Sequence, residues 1–184
     1  MTNNPTKENI LGTEKVSKLL IKFATPSVIA MLVSSLYNIV DQIFIGNYVG
    51  PIGNAATNVA FPITTVCIAI SVLFGVGGSS YFSIELGRGH NKEAADSIGT
   101  SLVTATTLSV LYALVAGFFA PQMLTLFGGS GETLEYSIRY CNYLVYGIPF
   151  LVIGNVLSNF IRADGSPRFS MVCMVVGAVV NIAL

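Results

Sequence analysis

The stretch SSLYNIVDQIFIGNYVG, residues 34–50, places a single aspartate in an apolar segment. Asp41 follows 18 uncharged residues, Phe23 to Val40, and precedes 43 more, Gln42 to Ile84. Because a helix needs roughly 20 apolar residues to cross a bilayer, both runs predict membrane-spanning helices. Acidic side chains inside such helices usually face a cavity and mark ion or proton pathways. The stretch therefore predicts a membrane protein with a functional carboxylate in its first span.

The composition of the whole chain favours the same class. Its 184 residues are 53% hydrophobic and 10% charged, with a mean hydropathy of +0.72, whereas soluble domains carry about 25% charged residues. Nine basic and nine acidic residues cancel, so the charge gives no indication of a nucleic-acid partner. We expect an all-α, polytopic bundle of transmembrane helices in a lipid bilayer.

Five apolar segments follow a polar tail of residues 1–15, and glycine, proline or charged residues that favour turns separate them. The predicted spans are residues 16–46, 54–86, 92–120, 132–162 and 168–184. The fifth segment is barely long enough to cross a bilayer and is still apolar at Leu184. We therefore interpret the chain as a piece of a longer protein, cut inside its fifth helix.

Lysine and arginine alternate between the connections. They occur before span 1 and in the connections between spans 2 and 3 and between spans 4 and 5, while the other two loops contain none. By the positive-inside rule the N-terminus is predicted to be cytoplasmic. Asp41 then lies toward the outer half of its span.

A polar stripe surrounds Asp41, because residues three and four apart share a helix face. The stripe consists of Ser34, Tyr37, Asn38 and Asp41. The stripe favours a carboxylate that faces the bundle and either exchanges a proton or holds a cation. Burial disfavours the charged form of such a carboxyl group. The alternative is that Asp41 only ends the helix, five residues before Gly46.

Pro26 is a candidate hinge in span 1. It precedes Asp41 by 15 residues, which corresponds to about 22 Å along a helix. Proline removes a backbone donor and tends to kink a helix, so bending there could be coupled to the state of the carboxylate. Static packing is the alternative, as it is for Pro62 and Pro149 in spans 2 and 4.

The fourth span carries the remaining polar candidates. Asn155 and Asn159 are one turn apart, and such amides either bind a ligand or hydrogen-bond across helices. Tyr140 and Tyr143 either line a cavity for cationic molecules or form part of an interfacial aromatic belt, together with the other tyrosines on the same face, Tyr136 and Tyr146. His90 lies in a polar loop without other metal-ligating residues, and we interpret it as a surface histidine.

Four stretches together resemble the multidrug and toxic compound extrusion (MATE) family, in particular its MepA-like branch. They are FATPSVIAMLVSSLYNIVDQIFIGNYVGPIGNAATNVAFPI (23–63), ELGRGHNKEA (85–94), NVLSNFIRADGSPRFSM (155–171) and VVNIAL (179–184). Their order and spacing carry the resemblance, which extends over residues 16–184.

The resemblance implies an architecture and a function. Family members have twelve helices in two six-helix lobes, and this chain would be most of the N-terminal lobe, with the C-terminal lobe as its partner. They are antiporters, not enzymes, that exchange H⁺ or Na⁺ for lipophilic, often cationic drugs and use no other cofactor. Asp41 matches the acid of the helix-1 cation site, where Na⁺ could bind, and Asn181 matches a helix-5 asparagine. The family's next acid would follow one position beyond Leu184, so the fragment alone is not expected to transport.

The resemblance also places the protein in a bacterial plasma membrane. Two alternatives remain at this point. A flippase for lipid-linked or amphiphilic metabolites would be expected to have a more basic cavity. No Lys or Arg lies in the middle of a predicted span, which favours cationic cargo instead. A membrane scaffold that transports nothing would have no need for an acid on a polar stripe.

Overall fold

The computed structural model describes residues 15–183, which form five α-helices and no strand. The helices are α1 (Val16–Tyr48), α2 (Pro51–Gly87), α3 (Asn91–Leu126), α4 (Gly131–Ala163) and α5 (Pro167–Ala183). The prediction of an all-α bundle is confirmed. The predicted tail, residues 1–15, lies outside the described residues except for Lys15.

Short turns connect helices that alternate in direction. We call the end formed by residues 49–50 and 127–130 the upper end of the bundle, and the end formed by residues 88–90 and 164–166 the lower end. Gly50 and Gly89 occupy the left-handed region, with φ of 87° and 83°, which costs glycine little because it has no Cβ. Pro51 then starts α2 at a position where a missing N–H has no cost.

The third helix passes through a proline. We expected the third span to end at residue 120, but α3 continues through Pro121 to Leu126. Proline removes only one backbone bond from a helix, and the next turn forms regardless, with Thr125 Oγ1 donating to the Pro121 carbonyl at 2.7 Å. One lost bond is insufficient to end a helix that retains the others.

Helices α2, α3 and α4 pack on one another and form the core. Their contact is close because the buried stripe of α3 consists mostly of alanine and serine, which let helix backbones approach. The stripe is Ala94, Ser97, Ser101, Ala105, Ser109, Ala113, Ala116, Ala120 and Leu124. Ser137 links α4 to α2 near the upper end, donating to the Ala56 carbonyl at 3.3 Å.

Helix α1 packs more extensively on α5 than on α2. The two helices run in the same direction, and small residues are buried on both: Pro26 and Ala30 on α1, Ser170 and Ala178 on α5. Ser158 and Ser170 form a hydrogen bond of 2.6 Å that ties α5 to α4 near the lower end. Near the upper end, Thr57 of α2 donates to Gln42 of α1 at 3.4 Å.

Four of the helices are long and apolar enough to cross a membrane: residues 24–48 of α1, and α2, α3 and α4. Large apolar side chains stand on their outer surfaces, for example Leu73 of α2 at 66% exposure and Phe118 of α3 at 79%. Lipid is the solvent for such surfaces. The chain is therefore part of a multi-pass membrane protein.

Candidate transport site

Asp41 lies on an exposed face of α1, seven residues before the last residue of the helix. This corresponds to about 10 Å below the upper end of α1. Its carboxylate forms no hydrogen bond or ion pair with another described residue. It is close enough to Tyr140 of α4 for the two groups to interact electrostatically. The two residues, which the sequence analysis proposed for different roles, therefore lie within electrostatic range of each other.

The other members of the polar stripe follow Asp41 down the helix. Tyr37 is half-buried and Asn38 is exposed. The Asn38 amide donates to the carbonyl of Ser34 at 2.8 Å, so its nitrogen is engaged and its oxygen remains an available acceptor. Asn38 and Asp41 therefore present oxygen atoms on neighbouring positions of one face.

Asn181 lies on α5, the helix that packs along α1. Its side chain is exposed and forms no hydrogen bond with Asp41 or with any other residue of the described range. The structure therefore brings the helices of Asp41 and Asn181 together without joining the two side chains.

The two cavity tyrosines differ in their surroundings. Tyr140 is 40% exposed and lies near Asp41, whereas Tyr143 is 78% exposed. Tyr140 is thus the more enclosed of the two rings. Tyr143 stands on the exposed surface of α4. This position is compatible with both interpretations, a residue that lines a cavity and a member of an interfacial aromatic belt.

The two asparagines of α4 also differ. The Asn159 amide donates to the Asn155 carbonyl at 2.9 Å and accepts from Arg162 Nη2 at 3.1 Å. It also lies against α2, because a Cβ on Gly75 would come within 2.7 Å of Asn159 Nδ2. Both ends of this amide are engaged, which favours the packing interpretation for Asn159. The side chain of Asn155 is exposed.

Pro26 is buried in a helix that remains continuous from Val16 to Tyr48. The helix therefore carries a proline without breaking in this conformation. A missing N–H at this position makes local bending less costly than elsewhere in α1.

A charged cluster at the lower end was missed by the sequence analysis. Glu85, only 6% exposed, accepts from Arg88 Nη1 and pairs with His90 Nδ1, each at 2.7 Å. The hydrogen bond to the Glu85 carboxylate raises the pKa of His90 above its usual value. His90 is therefore a paired side chain, and the available signal was an acid at the end of an apolar run, followed three and five residues later by basic ones.

No group of three or more His, Cys, Asp or Glu residues that could hold a metal ion occurs within residues 15–183. Oxygen ligands for a monovalent cation are nevertheless present at Asp41 and Asn38. Both oxygens stand on one face of α1, near its upper end.

Comparison with known proteins identifies the family of the chain. The MatE family model matches residues 26–184. The chain is 31% identical to the multidrug export protein MepA of Staphylococcus haemolyticus, over 92% of this chain and 37% of that protein. It therefore spans little more than a third of that relative's length.

Solved structures give the same result. The MATE multidrug transporter DinF-BH, solved in complex with a ligand, superimposes with a TM-score of 0.87 at 36% identity, covering 94% of this chain and 39% of that one. A MATE in the bent conformation gives a TM-score of 0.83 at 29% identity, covering 91% and 37%. The chain belongs to the MatE family of membrane transporters.

Proposed function

We propose that this chain is part of a cation-coupled multidrug efflux antiporter in which Asp41 is the coupling carboxylate. The observation that carries the proposal is the exposed Asp41 side chain on a membrane-spanning helix, where it has no hydrogen-bond or ion-pair partner among the described residues. A carboxylate in a membrane is costly and is retained where it binds an ion or a substrate. The remaining lobe of the transporter would close the cavity onto this face.

The physical basis of antiport is competition for one negative charge. An ionised Asp41 attracts H⁺, Na⁺ or a cationic compound, but it is neutralised by only one of them at a time. Arrival of the coupling ion therefore weakens the attraction for a cationic cargo and promotes its release. Oxygen atoms of Tyr37, Asn38 and Asn181 are the candidate partners of the ion.

Lipophilic, often cationic compounds are the proposed cargo. The ring of Tyr140 near Asp41 offers a face for cation–π contact, and Tyr143 extends the aromatic surface along α4. Asn155 is a further candidate for contact with the cargo. The names of the relatives support this class, since MepA is a multidrug export protein and DinF-BH is a multidrug transporter that was solved with a ligand bound.

The orientation follows from the distribution of charge. Basic residues cluster toward the lower end of the bundle, where Lys15, Lys18, Arg88, Lys92, Arg162 and Arg168 lie. The positive-inside rule makes this the cytoplasmic side. We infer a bacterial plasma-membrane protein with a cytoplasmic N-terminus and with Asp41 in the outer half of α1.

Pro26 is proposed as the hinge that couples the two states. Binding at Asp41 changes the hydrogen bonds required of the groups around it, and α1 accommodates the change most readily where proline has already removed a backbone bond. The existence of a MATE structure in a bent conformation supports a bending step within this family.

Transport by the intact protein tests the proposal. The transporter that contains this chain is reconstituted in liposomes, and accumulation of a cationic dye is followed under an imposed pH gradient or Na⁺ gradient. We expect dye movement opposite to one of the two ions. Absence of movement under both gradients, with a correctly inserted protein, would refute the proposed antiport.

A further inference from the structure

A second polar region lies beside Asp41, on the side of α1 that faces α2. It is a groove of about 560 Å³ near the upper end, which we call the amide groove. Its polar residues are Asn38, Gln42 and Asn47 of α1 and Asn54 of α2, and the remaining lining is Ile39, Ile43 and Gly46. Every polar side chain in it is an uncharged amide.

The amide groove exists because α1 and α2 approach closely at one glycine. A Cβ on Gly46 would come within 2.9 Å of Asn54 Nδ2, so only glycine allows this amide to lie against the α1 backbone. One turn lower, Gln42 is held by Thr57, which donates to its Oε1 at 3.4 Å. Asn54 and Gln42 are therefore positioned by contacts between the two helices.

Asn54 Oδ1 is buried without a hydrogen-bond partner among the described residues. Leaving a buried amide oxygen unpaired costs about 1–3 kcal/mol, so such an atom is retained where another group pairs with it. The nitrogen of Asn54 is packed at Gly46, and the nitrogen of Asn38 is engaged with Ser34. The buried atom of the amide groove that lacks a partner is therefore an oxygen acceptor, Asn54 Oδ1.

We propose that the amide groove is a cargo subsite that binds the N–H donor groups of amphiphilic compounds, while their apolar parts lie against Ile39 and Ile43. This inference rests on the proposed function and specifies its cargo. Asn38 borders both sites, since it lies one turn below Asp41 and Gln42 on the same helix. A compound at Asp41 can therefore reach the amide groove.

Two cationic rhodamine dyes of equal charge test the subsite. One carries secondary amino N–H groups, and in the other every nitrogen is fully alkylated. Dissociation constants are measured by fluorescence anisotropy with the purified transporter that contains this chain. A hydrogen bond to an otherwise unpaired acceptor predicts that the N–H dye binds about tenfold more tightly.

Asn54→Ala should reduce this preference to near one. Asn58→Ala is the matched control, because Asn58 lies one turn away, donates to the Asn54 carbonyl at 2.9 Å and does not line the amide groove. It should retain the preference. If Asn54→Ala fails to fold, Asn54→Leu, which fills the space of the side chain but has no oxygen acceptor, should produce the same loss.

Several results would overturn the subsite. One is an unchanged dye preference in a folded Asn54→Ala or Asn54→Leu variant. Another is an effect that is equal for both dyes and depends on Na⁺, because it would make the amide groove a cation site. If the wild-type protein binds neither dye, the proposed efflux function itself fails, which distinguishes that failure from failure of the subsite alone.

Discussion

Two adjacent glycines of α2 allow the close packing of the core to be tested with one methyl group. A Cβ on Gly78 would lie 2.9 Å from both Ser101 Cβ and Phe160 Cζ, and closer still to Ser101 Oγ. Phe160 cannot yield easily, since it is buried and packs edge-to-face on Phe82 with ring centroids 5.9 Å apart. A Cβ on Gly77 meets nothing within 4 Å.

The magnitudes follow from these contacts. Overpacking a core costs about 1–3 kcal/mol, while replacing glycine by alanine within a helix gains about 0.5–1 kcal/mol. Gly77→Ala should therefore be more stable than the wild type by about 0.5–1 kcal/mol. Gly78→Ala should be less stable than Gly77→Ala by about 1–3 kcal/mol.

The buried cysteines provide the assay. Cys67 and Cys141 are 0% exposed, so a thiol-reactive dye reports unfolding when they become accessible. The exposed Cys173 is replaced by serine in all samples. At about 2–4 °C per kcal/mol, Gly78→Ala should melt several degrees below Gly77→Ala. Equal melting temperatures would show that α2 does not approach α3 and α4 as closely as described.

Three further predictions concern the hinge, the orientation and the lower-end cluster. Pro26→Ala should slow efflux at saturating drug while leaving equilibrium drug affinity largely intact; a collapse of affinity with an unchanged rate per bound drug would make Pro26 a cavity residue. A cysteine at Asn47 should be labelled from outside the cell and one at Asn91 only from inside, in a cysteine-free background, and the reverse pattern would invert the topology. Because the Glu85 carboxylate raises the pKa of His90, the stabilisation that their pairing provides is fully present below about pH 6.5, the ordinary pKa of histidine. This stabilisation is lost as the pH rises through the raised pKa of His90. The melting-temperature difference between wild type and His90→Gln should shrink accordingly, and a difference independent of pH would contradict the charged pair.

The class of fold was accessible from the sequence because lipid imposes a simple rule. Long uncharged runs must form helices in a bilayer, and glycine or proline between them marks the turns. The end of α3 was not accessible in this way. A proline usually ends a helix in a sequence-based prediction, but whether the chain continues past Pro121 depends on the bonds that the following turn forms, such as Thr125 to the Pro121 carbonyl.

The polar residues show the same difference between local patterns and contacts between helices. Helical spacing alone predicted the stripe that contains Asn38 and Asp41, because it is local. The engagement of Asn159 depends on Gly75 of another helix, and the contact of Gly46 with Asn54 depends on how α1 crosses α2. Such contacts join residues that no local pattern relates.

Some local contacts were missed as well. His90 follows Glu85 by five residues, and the turn after α2 brings its ring back to the carboxylate, while the His90 backbone N–H also donates to the Glu85 carbonyl at 2.9 Å. The pairing is set by the backbone of that turn, where Gly89 adopts a positive φ. Metal-ligand spacing does not reveal a pair of this kind.

The central claim is that the charge of Asp41 couples an ion gradient to cargo movement. The most direct test compares two activities of Asp41→Asn in proteoliposomes: accumulation of a cationic drug driven by the coupling ion, and exchange of labelled for unlabelled drug without a gradient. The account predicts that the variant loses gradient-driven accumulation and retains measurable exchange, because the amide preserves the volume of the side chain but cannot take up a proton or balance a cation. Wild-type levels of gradient-driven accumulation by a folded Asp41→Asn protein would contradict it.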